Sequence, residues 1–461
     1  MGHRIATSLC WSAPFSDTAF PNIEVPDPVA LYVAFLDPQG NPNVFQQMPG
    51  EGVWTGPFPL SAPLGIAFTS IAGVNNYFVA LGSDGNLYAA VFYQVGAILG
   101  DPNVQPVDSV PQVTDWSAFQ ALPPLGDPPV INSGGTVAIN DFAVVPLSNA
   151  TNGNYSFALL IVAAVNSTSQ GVAGFYSYTL NMLAAGATPK FLPIQNSPYW
   201  NPNSIGVGVS ALQVGGASAP ALAVLYQGLN PNPTIVFIGV PPLVDGTNAT
   251  PISWTSGDGV NWVQGNLETI ISQSGFDPSI APSTILLTLG NPYPTLQAIL
   301  VTAGQPQLFW SSDGSNWLYF GDLMPPNSPS PGVVPGDVDN PPTFNAVAAG
   351  FGNDGNLQVI GLGPDVFYGS SAPFLVWQAS NGAWALYPYD KYSDGYLSLV
   401  NGFLELNNVV PTDLAVALGW CNGGRALQVL YLGSDSNVYV TWQDTFGGWH
   451  WYPGLSGNGL P

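Results

Sequence analysis

The sequence predicts an all-β fold, a seven-bladed β-propeller of four-stranded antiparallel blades that occupies residues 1–461 as a single domain. Three observations carry this. A unit of four apolar, strand-length runs recurs about every 65 residues, with Trp377 and Trp442 in equivalent places 65 apart. Gly, Asp and Asn clusters separate the runs, where tight hairpins need residues that tolerate positive φ. No apolar spacing of 3.6 is sustained, and 46 Pro and 53 Gly would break helices repeatedly.

The blades are expected at about 5–62, 64–130, 136–200, 205–275, 283–335, 343–405 and 412–461, with first strands starting near Ile5, Ile66, Val137, Val207, Ile285, Ala346 and Leu414. The first blade shows Val44-Phe-Gln with Trp54, the second Leu87-Tyr to Gln94 with Trp116, and the third Gly174-Phe-Tyr-Ser-Tyr178. In the fourth, Trp254 and Trp262 lie eight apart; in the fifth, Trp310 and Trp317 lie seven apart. The sixth carries Phe374-Leu-Val-Trp-Gln with Trp384. The seventh is the clearest unit, with Leu414-Ala-Val-Ala-Leu-Gly, Leu427-Gln-Val-Leu-Tyr-Leu-Gly-Ser-Asp-Ser-Asn, Val438-Tyr-Val-Thr-Trp-Gln and Trp449-His-Trp-Tyr. A four-stranded sheet cannot bury both faces alone, so the units must stack, and ring closure leaves no terminal unit bare. Pro- and Gly-rich stretches such as 324–342 read as loops between blades. Two smaller β domains are the alternative arrangement.

Charge narrows the function. With 27 carboxylates against Arg4, Lys190, Lys391 and Arg425, the formal charge is -23, and charged residues total only 7%. Too few cations exist to neutralise phosphates, which argues against nucleic acid and anionic membranes as partners. An acidic surface made mainly of Asn, Gln, Ser, Thr, Pro and Gly suits an extracellular, cell-surface or virion-surface setting. Met1 to Trp11 does not read as a signal peptide, so the export route is open. No run of 18 apolar residues occurs. Sequons stand at Asn149, Asn154, Asn166 and Asn248.

The repeat Leu427-Gln-Val-Leu-Tyr-Leu-Gly-Ser-Asp-Ser-Asn-Val-Tyr-Val-Thr-Trp-Gln with Gly448-Trp449 resembles that of seven-bladed propeller lectins of the Photorhabdus lectin type, and more loosely tectonin-like and fungal fucose-binding propellers. The resemblance covers the last two blades, about 120 residues. It implies a carbohydrate-binding protein with sugars in clefts between blades, stacked on Trp377, Trp384, Trp442 and Trp449. Ser256-Gly-Asp258-Gly-Val-Asn-Trp262 and Ser311-Ser-Asp313-Gly-Ser-Asn-Trp317 resemble the Asp-box hairpin of sialidase-like propellers, one residue short between Asp and Trp. That hairpin implies a fold-stabilising turn.

Catalysis finds little support. A sialidase needs an arginine cluster, which Arg4 and Arg425 cannot supply. Asp84, Asp354 and Asp435 sit in hairpin turns, although a cleft glycosidase built from other acids is a third reading. His3 and His450 are the only histidines. His450, between Trp449 and Trp451, alternates to the opposite face from both. No cofactor is expected and no zinc spacing is present; Gly336-Asp-Val-Asp-Asn340 is the one loop considered for calcium. Cys10 and Cys421, in the first strands of the first and last blades, are candidates for a disulfide stapling the ring. Beside the multivalent lectin stands a structural alternative, a subunit of a filament, surface layer or virion, with Met1 to Pro28 or edge strands pairing with a neighbour.

Overall fold

The structure is a computed structural model of the chain. It describes residues 3–10, 30–49, 52–74, 76–92, 115–122, 138–149, 154–166, 173–181, 192–193, 222–227, 234–240, 250–274, 282, 284–290, 295–302, 305–322, 346–352, 356–364, 371–378, 384–386, 409–421, 424–444, 448–452 and 455.

These residues form seven four-stranded antiparallel sheets, each a meander in chain order. The first holds β1 (Ile5–Cys10), β2 (Ala30–Leu36), β3 (Pro42–Gln47) and β4 (Trp54–Pro59). The second holds β5 (Phe68–Val74), β6 (Tyr77–Gly82), β7 (Leu87–Val91) and β8 (Gln120–Ala121). The third has β9 (Ala138–Asn149), β10 (Asn154–Asn166), β11 (Ala173–Asn181) and β12 (Leu192–Pro193). In the fourth are β13 (Leu222–Gln227), β14 (Thr234–Gly239), β15 (Ile252–Ser256) and β16 (Val263–Gln264), followed by the helix α1 (Leu267–Gln273). The fifth comprises β17 (Thr284–Gly290), β18 (Thr295–Thr302), β19 (Gln305–Ser311) and β20 (Trp317–Asp322). The sixth comprises β21 (Ala346–Phe351), β22 (Leu357–Pro364), β23 (Ser371–Gln378) and β24 (Trp384–Leu386). The seventh comprises β25 (Pro411–Cys421), β26 (Gly424–Gly433), β27 (Val438–Gln443) and β28 (Trp449–Tyr452). The first strand of the fourth sheet thus begins at Leu222, while the expected start at Val207 lies outside the described residues.

First strands meet first strands around the molecule, β1 with β5, β5 with β9, and so on to β21 with β25, and β25 returns to β1. This is an all-β propeller. Burial explains the strand sequences. Every residue of β2 is buried, because Tyr32 and Ala34 pack towards the second sheet with Phe78 and Ala80, whereas Leu31, Val33 and Phe35 pack towards the seventh with Leu430 and Val440. A strand covered on both faces needs a continuous apolar run.

The ring closes without sharing a strand between its two ends, since each sheet is continuous in sequence. Side chains and main chain of β1 and β25 close it instead. Asp413 accepts from the Arg4 N–H at 2.6 Å and pairs with His3 Nδ1 at 3.0 Å, while Thr7 Oγ1 donates to the Val416 carbonyl at 3.4 Å. The Asp413 carboxylate raises the His3 pKa to about 9. Asp141, on the third sheet's inner strand β9, is pushed up to about 6 by burial, with His3 acting in the opposite direction.

A histidine whose folded pKa is raised contributes stability fully below its unfolded value near 6.5, and that contribution is lost as pH rises through about 9. The His3 side chain is 54% exposed, so screening leaves on the order of 1 kcal/mol at most. Urea unfolding should show that decline between pH 7 and 10, and His3→Gln should flatten it; an unchanged slope in the variant would remove the assignment.

Both cysteines are buried and no disulfide joins them, which corrects the expected staple. Alternation along the strands is the reason. Cys10 faces the second sheet, among Tyr32, Phe78 and Trp116. Cys421 packs with Ala426 and Trp442, on the face of the seventh sheet that looks at the first. Burial pushes the Cys10 thiol pKa up, so it stays a neutral apolar filler.

Candidate functional site

The outer hairpins decide which way each tryptophan points. In the seventh sheet Trp442 pairs with His450 and Gln443 with Trp449. Trp442 and Trp449 therefore sit one register step apart and face opposite sides of the sheet. Trp449 packs with Leu375, Tyr431 and Tyr439, between the sixth and seventh sheets. Trp442 lies opposite Gln428, on the side towards the first sheet. The two tryptophans of one unit thus serve different junctions.

The same holds elsewhere. Trp54, opposite Gln47, packs back onto the seventh sheet with Leu430 and Val440, and Trp317 packs back onto the fourth with Val236 and Ile238. A cleft between sheets is therefore flanked by a third-strand tryptophan from one sheet and a fourth-strand tryptophan from the next, here Trp442 and Trp54. The eight-residue spacing of Trp254 and Trp262 breaks the rule. One extra residue puts both on the same face, where they join Phe175 of the third sheet.

Between the seventh and first sheets, a glutamine pair crosses the gap. Gln47 Oε1 accepts from the Trp420 N–H at 2.9 Å and from Gln428 Nε2 at 3.1 Å. Gln47 Nε2 donates back to the Trp420 carbonyl at 2.9 Å, which also accepts from Gln428 Nε2 at 3.0 Å. Gly419 leaves the space, since a Cβ there would meet both amides at 2.5 Å. The arrangement repeats between the fifth and sixth sheets, where Gln297 Nε2 donates to Gln378 Oε1 at 2.8 Å and Gly290 stands against Gln297. A visible signal was the dipeptide Leu-Gln, in second strands at Leu296-Gln297, Leu357-Gln358 and Leu427-Gln428.

The rim of this junction is polar and aromatic. His450 stacks on Trp442 with centroids 4.3 Å apart and planes at 20°. Its Nε2 meets Asp444 Oδ2 at 2.7 Å, and Asp444 Oδ1 accepts from the Gly448 N–H at 2.8 Å. His450 does leave Trp449 for the other face, and there it meets Trp442. Arg425 Cζ lies 4.7 Å over the Trp420 ring, adding a cation to a chain with only four. Among the described residues, Trp54 Nε1 and Gln428 Oε1 are buried at this junction without a hydrogen-bond partner.

Other carboxylates are committed to turns. Burial pushes Asp258 up, but the N–H groups of Asn261 and Val260 more than offset it and hold its pKa near 2. Asp313 repeats that turn, bonding Ser315, Asn316 and Ser311, and Trp317 Nε1 closes it on the Gly314 carbonyl at 2.8 Å. Asp84 and Asp435 bind the amides of Asn86 and Asn437 and the hydroxyls of Tyr88 and Tyr439. Asp354 and the 336–340 loop lie outside the described residues, and no cluster of three or more His, Cys, Asp or Glu fit for a metal occurs among those described.

Of the four tryptophans implied by resemblance, Trp442 and Trp449 are placed as above. The backbones of Trp377 and Trp384 pair with Ala385 and Gln378; their side chains lie outside the described residues.

No protein-family model matches the chain, and no curated protein does. Among solved structures, the fucose-specific lectin from Aleuria aurantia is 11% identical, covering 98% of this chain and 95% of that one at a TM-score of 0.40. SapL1 lectin in complex with alpha methyl fucoside is 12% identical over 84% of this chain and 95% of that one, also at 0.40. YCF48 bound to D1 peptide is 12% identical over 94% and 90%, at 0.36. At these values the likeness carries nothing about a ligand.

Proposed function

We propose that each of the seven sheets is one blade of a single ring, and that the chain is a non-enzymatic glycan-binding protein displayed outside the cell or on a virion surface. The observation that supports it is the junction of the seventh and first sheets. Trp442, Trp54 and Trp420 lie there beside His450, Asp444, Arg425 and two glutamines. Aromatic faces suit the apolar C–H face of a pyranose, and the carboxylate and guanidinium suit its hydroxyls. The glutamine contact that recurs between the fifth and sixth sheets supports several sites per ring and hence avidity on a glycan-coated surface. The turn-bound state of Asp84, Asp258, Asp313 and Asp435 supports binding without hydrolysis.

A broad glycan array tests the reading. The full chain should bind one class of glycan, and Trp442→Ala should weaken that binding by about tenfold or more, as for loss of a central aromatic anchor. Silence of the folded protein across the array would overturn it. The structural-subunit reading draws on Leu318 and Phe320, which are 50% and 60% exposed on the outermost strand β20; filaments in electron micrographs of purified protein would favour it.

A further inference from the structure

One position varies where the rest of the junction repeats. Directly across the outer hairpin from the third-strand tryptophan stands Leu318 opposite Trp310, Ala385 opposite Trp377, and His450 opposite Trp442. The glutamine across the inner hairpin is constant: Gln297, Gln358 and Gln428 face the same three tryptophans. The register thus keeps one cross-strand partner of the tryptophan and changes the other among leucine, alanine and histidine.

We infer that this variable residue sets access to each glycan site, and that His450 is a cover on Trp442 which a bound sugar must displace. The inference rests on the glycan-binding reading. The imidazole lies 4.3 Å from the indole, nearly parallel to it, which is the place and spacing that the C–H face of a sugar ring takes on an aromatic platform. Both cannot occupy one ring face. Asp444 holds the cover in place at 2.7 Å, and is itself fixed by the Gly448 N–H and by its own N–H to the Gly448 carbonyl at 2.8 Å. Because 47% of the His450 side chain meets solvent, it can swing outward without disturbing the core. The Trp442 platform therefore answers only to ligands that repay the lost stack and the Asp444 contact.

The test uses the full-length protein, a broad glycan array, and calorimetric titration with methyl glycosides of the sugars that score. His450→Ala should tighten binding about three- to tenfold, the size of one aromatic stack. His450→Leu, which places there the residue of the fifth sheet, should leave binding near that of the unmodified protein, and Trp442→Ala added to His450→Ala should remove the gain. Thermal melts confirm that each variant folds. Unchanged or weaker binding in His450→Ala would overturn the cover and make His450 a bystander or a direct sugar contact. Silence of the unmodified protein on the array would instead remove the glycan reading, before any variant is compared.

Discussion

Gln47→Leu is expected to destabilise the protein by about 2–4 kcal/mol, read as a shift in the urea midpoint. Leucine fills much the same volume but leaves the buried Trp420 N–H, now bonded to Gln47 Oε1 at 2.9 Å, with nothing to donate to. It also removes one of the two acceptors of Gln428 Nε2. The orphaned amide dominates, since a buried donor without an acceptor costs its full desolvation, whereas a made bond returns only part of that. Position in the ring adds to the effect. The seventh and first sheets share no strand, so this pair, the Asp413 contacts and the apolar cluster around Leu31, Leu430 and Trp54 are what hold the ends together. The double variant Gln47→Leu with Gln428→Leu should cost less than the sum of the singles, because removing both amides leaves fewer unmet partners. A loss below about 0.5 kcal/mol in Gln47→Leu would show that the amides contribute nothing beyond surface contacts.

Gly73→Ala is expected to be comparably damaging, at about 3 kcal/mol or more. A Cβ on Gly73 would lie 2.2 Å from the Thr7 carbonyl oxygen and 2.7 Å from its carbon. These are main-chain atoms of β1, so no side-chain rotation relieves the overlap. β1 would have to move towards β25, where Thr7 bonds the Val416 carbonyl, or β5 would have to leave the inner ring. Both routes loosen the tightest part of the fold. Soluble expression with an unchanged denaturation midpoint would show that the inner strands tolerate a wider spacing.

Much of the fold was legible from residue patterns. The starts of five first strands, at Ile5, Ile66, Val137, Ile285 and Ala346, lie within two residues of the strands found, because an apolar run bounded by Gly, Asp and Asn is a local signal. The seventh strand starts three residues before Leu414, at Pro411. The Asp258 and Asp313 hairpins were equally readable, as side chain and amides lie within a few residues of one another.

The site was less legible. Trp442 and Trp449 looked like one aromatic pair, yet hairpin register sends them to different junctions. His450 looked isolated from tryptophan, yet cross-strand pairing places it on Trp442. The cysteines occupied comparable strands, but strand parity turned Cys10 towards the second sheet and Cys421 towards the first.

Residue pattern alone specifies an all-β repeat, its turns, and an acidic, cation-poor, tryptophan-rich chain. Those properties are local or additive, so composition and spacing express them. Long-range packing settles which tryptophans share a junction, that Gln47 and Gln428 bridge the seventh and first sheets, and that His450 stacks on Trp442. Each of these depends on strand register or on contacts such as Gln47 with Gln428, 381 positions apart, where a shift of one residue reverses every side chain and no single stretch of sequence records the outcome.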